Sequence, residues 1–378
     1  METHTNPFQP ARLRLARLFH GLTHAELGAR ASSSRQFMHQ LESGIKTPNE
    51  LMVNVLSEQL EVDPSFFFMP IAEDVVEQQC HFRKQRTTPA KITQQVLARG
   101  TLFSETVSKL EEYLDLPEVD FPEIPVNSRL DVEQAAERCR KHWGLGVTAP
   151  IVNMVRVAEN AGAVVTHFEG VSEKVDALSV SRRRPLIVMS TSKGSGCRSR
   201  FDIGHEIGHL VMHQGIETGD HETESQANHF AAAFLFPRSA FVAEFPRDKK
   251  LNWTTLYQLK LKYKISVAAI LYRAHHHLGL IDATQYRAAQ IYLSRSTQKK
   301  TEKYDEAVAM EQPELLGNAF RALLEEEEVD AEHFASQIAI NPNLLEKLTG
   351  VPHTQKPTPK NRQNIIDLLE IIKAKQNQ

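Results

Sequence analysis

The sequence predicts a mostly α-helical chain with one small β-sheet, an α+β protein made of more than one folded unit. Three observations lead there. The 378 residues exceed what one ordinary hydrophobic core holds, so two to four domains are expected. Short amphipathic stretches with capping residues at their starts follow one another along most of the chain. Only two short apolar runs read as strands, AVVTHF (163–168) and PLIVMS (185–190), and both lie mid-chain.

Taken in order, residues 8–69 read as five short helices. Leu13, Ala16 and Leu18 begin an apolar face. Thr23 suits the N-cap of HAELGARA, with Glu26 at the capping-box position. Ser32, Ser33 and Ser34 precede RQFMHQLE, Gly44 ends it, and Thr47-Pro48-Asn49 starts another helix. Residues 81–100 hold five Lys/Arg and no acid, and lead into a helix over 91–115. The Pro-punctuated segment 116–126 reads as a linker. Helices follow over VEQAAERCRKHWG and IVNMVRVAENAG, then the two strands, a helix through residues 201–212, a polar loop over 213–222, and a helix from about Glu222 stopped by Pro237. Charged residues 296–306 mark a boundary. Residues 307–378 read as wholly helical, clearest in LLGNAFRALLEEEEVDAEHFASQIAI and NIIDLLEIIKAK. The resulting division is 1–72, a helical linker 73–127, an α+β unit 128–290, and a helical unit 291–378.

Composition excludes several classes. Hydrophobic residues are 41% and charged residues 24%, ordinary for a globular protein. A net charge of −3 offers no global basic field, so any nucleic-acid role must come from a local patch. Cys80, Cys139 and Cys197 form no CxxC and point to reduced thiols in the cytoplasm. The sequence shows no secretory leader pattern and no apolar run near the ~18 residues needed to span a bilayer, so no membrane partner is expected.

The chemistry concentrates in His205-Glu206-Ile207-Gly208-His209. Histidines four apart on a helix share one face and can reach one metal ion. Glu206 beside them can serve as general base, the arrangement of zinc hydrolases. Apolar flanks (Phe201, Ile203, Leu210, Val211, Met212) bury the helix, and buried polar groups need a partner such as a metal. Zinc needs a third protein ligand, with His221, Glu222 and Glu224 as candidates. Glu224 is preferred because Glu224, Ala227, Asn228, Ala231 and Leu235 share a helix face. Ala227 and Ala231 permit close helix packing, and Asn228 could orient a ligating histidine. His213, one turn beyond His209, reads as structural or as a supporting hydrogen-bond group. An oxyanion stabiliser is required in principle, and His213, His229, Tyr257, Tyr263 and Tyr272 all remain open. Cys197, eight residues before His205, could in principle block the metal, although an inert thiol is the plainer reading.

RSRFDIGHEIGHLVMH followed by ESQANHFAAAFLFP resembles the ImmA/IrrE family of zinc metallopeptidases, over roughly 130–290. Arg198, Arg200, Phe201, Gly208, His213, Glu224, Ala227, Asn228, Phe230, Ala231, Leu235 and Pro237 fit its pattern. Gly204 stands where alanine is usual, and Gln226 replaces a common glutamate. The resemblance implies a zincin-like metallopeptidase domain, Zn²⁺ as cofactor, peptide-bond hydrolysis, and a protein substrate that is a repressor.

Residues 12–68 resemble an XRE/Cro-type helix-turn-helix, carried by Leu22–Leu27 and by Ser34–Gly44 with Lys46-Thr47-Pro48. Leu27, Ala31, Phe37, Met38 and Leu41 can pack the two helices together. Arg35, Gln36, His39 and Gln40 then point outward, and Arg and Gln are side chains that read base edges. Thr23 could contact a phosphate. Residues 10–46 carry six Lys/Arg against two Glu, enough for a phosphate footprint. The resemblance implies double-stranded operator DNA as partner and a homodimer on two half-sites.

Together these features predict a DNA-binding transcriptional regulator with a tethered zinc peptidase that cuts a partner repressor or itself, in a stress or phage-related response. Two alternatives accompany it: a regulator whose peptidase-like unit is a sensor or dimerisation module without significant proteolysis, and a peptidase whose N-terminal module recognises a protein.

Overall fold

A computed structural model of the chain describes residues 6–70, 80–84, 90–167, 175–180, 183–189, 194–216, 218–247, 250–295 and 301–352. The architecture is mostly helical with one small sheet, as the sequence predicts. The N-terminal unit comprises α1 (Pro10–Phe19), α2 (His24–Arg30), α3 (Arg35–Glu42) and α4 (Glu50–Leu60). The fifth element expected there is a 3₁₀ turn, Pro64–Phe68, because Asp63 accepts from the Ser65 amide while Phe66 and Phe67 turn into the core. Local chemistry sets the helix starts. Thr23 and Glu26 form a reciprocal capping box, and Ser34 and Asn49 cap α3 and α4.

Strand β1 (Cys80–Lys84) and the long α5 (Ala90–Leu110) come next, then α6 (Arg129–His142), α7 (Met154–Asn160), β2 (Val164–His167), β3 (Val175–Val180) and β4 (Leu186–Met189). Helices α8 (Gly196–Met212) and α9 (His221–Leu235) follow, then α10 (Arg238–Glu244), α11 (Trp253–Tyr263), α12 (Val267–Tyr272), α13 (Ala283–Arg295), α14 (Leu315–Glu326), α15 (Ala331–Gln337) and α16 (Pro342–Thr349). The sheet order is β1-β3-β4-β2. β2 runs parallel to β4, while β3 is antiparallel to both β4 and β1. The apolar runs identify β2 and β4. Strands β3 and β1 were not anticipated, because VDALSV and CHFRK carry charged residues and form no continuous apolar run.

The sheet divides two cores. Val164, Leu186 and Val188 face one of them, and Val165, Ile187 and Met189 face the other, as side-chain alternation requires. The second core joins α6–α13. The first joins the N-terminal unit, α5 and the C-terminal helices. The segment expected as a linker therefore contains a core element: Val96, Leu102, Phe103, Val107 and Leu110 of α5 are buried in the first core. Residues 301–352 likewise share that core through Leu316, Leu323, Phe334, Leu345 and Leu348. A bridge between Val62 and Ile340 ties the N-terminal unit to the C-terminal helices. The run expected as helical is interrupted between α14 and α15, where Glu328 adopts φ 56° and Asp330 caps a new start. NIIDLLEIIKAK lies outside the described residues.

Residues 302–314 form a strap across the second core. Lys260 donates to Glu302 (3.0 Å) and Asp305 (2.6 Å), and Glu302 also caps α12. Gly196 permits the passage: a Cβ there would lie 2.3 Å from the Val308 carbonyl oxygen. Glu311 pairs with buried Arg200 and accepts from the Met154 amide at the start of α7. Glu159 accepts from the Glu314 and Leu315 amides.

Burial pushes the Glu159 carboxyl up from 4.5 to about 7, against the lowering effect of those amides. The folded chain thus holds a proton that the unfolded chain has lost between these two values, and stability falls as pH rises through that window. Melting of the wild type is expected to drop by roughly 5 °C from pH 4.5 to 7.5 beyond that of Glu159→Gln, whose profile across this window should be flatter. Parallel profiles in differential scanning calorimetry would contradict this.

Candidate metal centre

Helix α8 is buried along nearly its whole length and packs on α9, α7, β3 and β4. The close approach to α9 follows from small residues. A Cβ at Gly208 would stand 3.1 Å from the Phe230 ring, tighter than ordinary contact. At Gly204 it would stand 3.3 Å from the Ala231 Cβ, so the alanine usual at this position would need only a slight adjustment. Ala227 and Ala231 are fully buried in this contact.

This packing brings three side chains together. The Nε2 atoms of His205 and His209 lie 3.0 Å apart. Glu224 Oε2 is 3.4 Å from the first and Glu224 Oε1 is 3.4 Å from the second. Their candidate ligand atoms all fall within 4.8 Å of one another. Glu224 is the third candidate the structure selects. His221 and Glu222, the other two, are exposed at the start of α9.

The outer nitrogens decide what these atoms are. His205 Nδ1 lies 3.1 Å from Asn228 Oδ1, an acceptor, so Nδ1 carries the hydrogen and Nε2 is a lone pair. His209 Nδ1 contacts His213 Nδ1 at 2.9 Å, and His213 Nε2 contacts Gln226 Oε1 at 2.8 Å. Gln226 Nε2 donates to Glu222, which orients its oxygen toward His213. His213 therefore donates from Nε2 and accepts at Nδ1, so His209 donates from Nδ1 and its Nε2 is also a lone pair. Burial keeps His209 neutral, pushing its pKa down to about 4, and lowers His213 as well. Two lone pairs and a carboxylate thus face one another, an arrangement that a cation relieves. Ligand atoms held tetrahedrally at about 2.0–2.1 Å from zinc stand about 3.3 Å apart, close to the spacing found. Gln226 entered the sequence reading only as a departure from the family pattern. Its role becomes visible only with the histidine chain in place.

Glu206, the neighbour of His205 on α8, meets β3 with its carboxyl. It is fully buried, and burial pushes its carboxyl up to about 7. The Ser179 hydroxyl of β3 donates to Oε2, while Oε1 has no hydrogen-bond partner among the described residues. Ser179 escaped the sequence reading because β3 did.

A buried ion cluster fixes the roll of α9. Glu133 of α6 accepts from both Arg273 terminal nitrogens (2.7 and 2.8 Å) and lies 2.8 Å from His229 Nε2. Burial alone would raise Glu133, but these partners outweigh it and hold it at about 2. His229 is thereby committed away from an oxyanion role, as is Tyr263, whose hydroxyl donates to Glu244 at 2.6 Å. Cys197 does not serve the metal cluster. It is buried among Lys260, Asp305 and Glu302, and burial pushes its thiol up to about 11, so no thiolate forms near neutrality.

In the N-terminal unit, Arg35, Gln36 and His39 are exposed on α3 and Gln40 is half-buried. Leu27, Met38 and Leu41 are fully buried between α2 and α3, while Phe37 is half-buried under Lys46. Thr23 Oγ1 already accepts the Glu26 amide. Two of the six cations are structural: Arg12 pairs with Glu105, and Arg17 with Glu42. Arg14, Arg30, Arg35 and Lys46 stay exposed.

Residues 158–275 match the family model of the IrrE N-terminal-like domain, Peptidase_M78. This part of the chain, from α7 to just past α12, resembles a metallopeptidase-type domain. No curated protein matches the chain. Among the described residues no helix is long and apolar enough to cross a membrane.

Arg273→Ala would leave Glu133 buried with one cation fewer. A loss of about 3–5 kcal/mol in urea unfolding is expected. Wild-type stability in this variant would show that the cluster does not hold α9.

Proposed function

We propose that the chain is a DNA-binding transcriptional regulator carrying a zinc-dependent endopeptidase that cuts a regulatory protein, a repressor partner or the chain itself. The observation that carries the peptidase reading is the convergence of two unprotonated imidazole nitrogens and a carboxylate on one point, with the buried Glu206 beside them. The match over residues 158–275 supports it. In this reading His205, His209 and Glu224 are the metal ligands, and Asn228 and His213 fix the ring orientations and tautomers. Bound zinc supplies Lewis acidity and an acidified water.

Glu206 does the proton work. As general base, Glu206 would take the proton of the attacking water and return it to the departing amine. The Ser179 hydroxyl holds one Glu206 oxygen and leaves the other to act. Glu206→Gln is expected to keep the metal and lose about 10²–10⁴-fold in peptide hydrolysis. His205→Ala should lose zinc by elemental analysis, and Asn228→Ala should weaken zinc binding about 10–100-fold. A purified wild type that binds no zinc sinks this reading.

The regulator reading rests on the polar, exposed surface of α3 above a buried α2–α3 contact. Arg35, Gln36, His39 and Gln40 are the proposed base readers, with Arg14, Arg30 and Lys46 available to phosphates. A homodimer on two half-sites completes the proposal. Arg35→Ala and Gln36→Ala should each cost about 1–3 kcal/mol of operator affinity in gel-shift titrations on the gene's own upstream DNA. Wild-type failure to bind any such DNA would favour a protein-recognition module.

A further inference from the structure

Strand β1 lies outside the stretch that matches the peptidase model, in the connection between the N-terminal unit and α5. It pairs antiparallel with β3, with Cys80 opposite Val180, His81 opposite Ser179 and Phe82 opposite Leu178. Strand β3 is the part of the sheet that touches the chemistry, because Ser179 donates to Glu206. It has two edges. One is taken by β4 and the other by β1.

A protein chain presented for hydrolysis must be extended, and its amides must find partners once they leave water. Adding a strand to a sheet edge satisfies both needs and sets the register of the bond to be cut. The edge of β3 not taken by β4 is the edge that could do this, on the strand whose Ser179 meets Glu206, and β1 sits on it. We propose that β1 occupies the position a target chain takes when it is cut, so that a target must displace β1 from β3. This deepens the peptidase reading and rests on it.

The arrangement makes physical sense as a gate. β1 belongs to the same chain, so its local concentration at β3 is on the order of millimolar, and free peptides compete poorly. A target that docks elsewhere on the protein gains the same advantage and can exchange with β1. β1 lies in sequence between the N-terminal unit and α5, which share the first core.

The test uses the full zinc-loaded chain carrying Glu206→Gln, so that nothing is cut. The probe is a fluorescein-labelled synthetic copy of residues 80–84 with two glycines at each end. Successive amides of a strand point alternately toward and away from its neighbour, so only one of His81→Pro and Phe82→Pro removes an amide directed at β3. That variant is expected to bind the probe about tenfold more tightly than the other or the parent, as when an occupied site becomes open. Zinc content and the far-ultraviolet spectrum should stay unchanged. In the parent, saturating probe should speed amide exchange in 80–84 while 175–180 stays protected. Equal binding by all three chains, or bound probe with unaltered exchange in 80–84, overturns the proposal. Tighter binding on opening β1, with no cleavage once Glu206 is restored, keeps β1 as a displaceable strand on β3 but defeats the peptidase reading, and with it the claim that this is the position of a chain being cut.

Discussion

The centre of this protein depends on one constraint: two imidazole lone pairs and a carboxylate are held face to face in a buried place. Such an arrangement repels itself unless a cation sits between the groups. Its persistence rests on the outer hydrogen bonds. Asn228 takes the proton of His205, and the relay from His209 through His213 to Gln226 takes the other. Each link points a hydrogen outward and leaves a lone pair inside. The donor character of this candidate metal site is thus set as much by an asparagine and a glutamine as by His205, His209 and Glu224 themselves.

Packing then places these groups. Gly208 and Ala227 let α8 and α9 approach, and the Glu133–Arg273–His229 cluster fixes how α9 is rolled against α6. The strap over residues 302–314 clips the C-terminal part of the chain to α7, α8 and α12 through carboxylates. Arg200, which resembled a family signature residue, has a mechanical role here: it is buried and tied to Glu311 and to the carbonyls of Ile151 and Val152. The site, the strap and the C-terminal helices therefore form one connected structure. The sheet joins them to the N-terminal unit, because its opposite face closes the first core.

Much of the centre was legible in the sequence because helices encode spacing locally. The i, i+4 histidines, the Glu224–Asn228 face and the capping residues Thr23, Ser34 and Asn49 all report on neighbours within about a turn. The helix-turn-helix resemblance rests on the same kind of signal, and the α2–α3 contact has the buried residues it requires. Strand β3 was not legible, since VDALSV lacks an apolar run and is made a strand by the partners on its two sides. With it went Ser179. The helix α5 looked like part of a linker because its basic approach and the Pro-rich stretch after it dominate the local composition, while Leu102 and Phe103 find their partners far away in sequence.

The sequence by itself determined the helical class, the spacing of His205 and His209 and the polar face of α3, because each depends on residues a few positions apart. Only the tertiary structure decided that the chain closes as two cores across one sheet, that Gln226 completes the histidine relay, and that β1 lies on the outer edge of β3. These last features join residues separated by tens to hundreds of positions. No local period records such pairings, and they exist only once burial and unsatisfied main-chain groups have selected one arrangement for the whole chain.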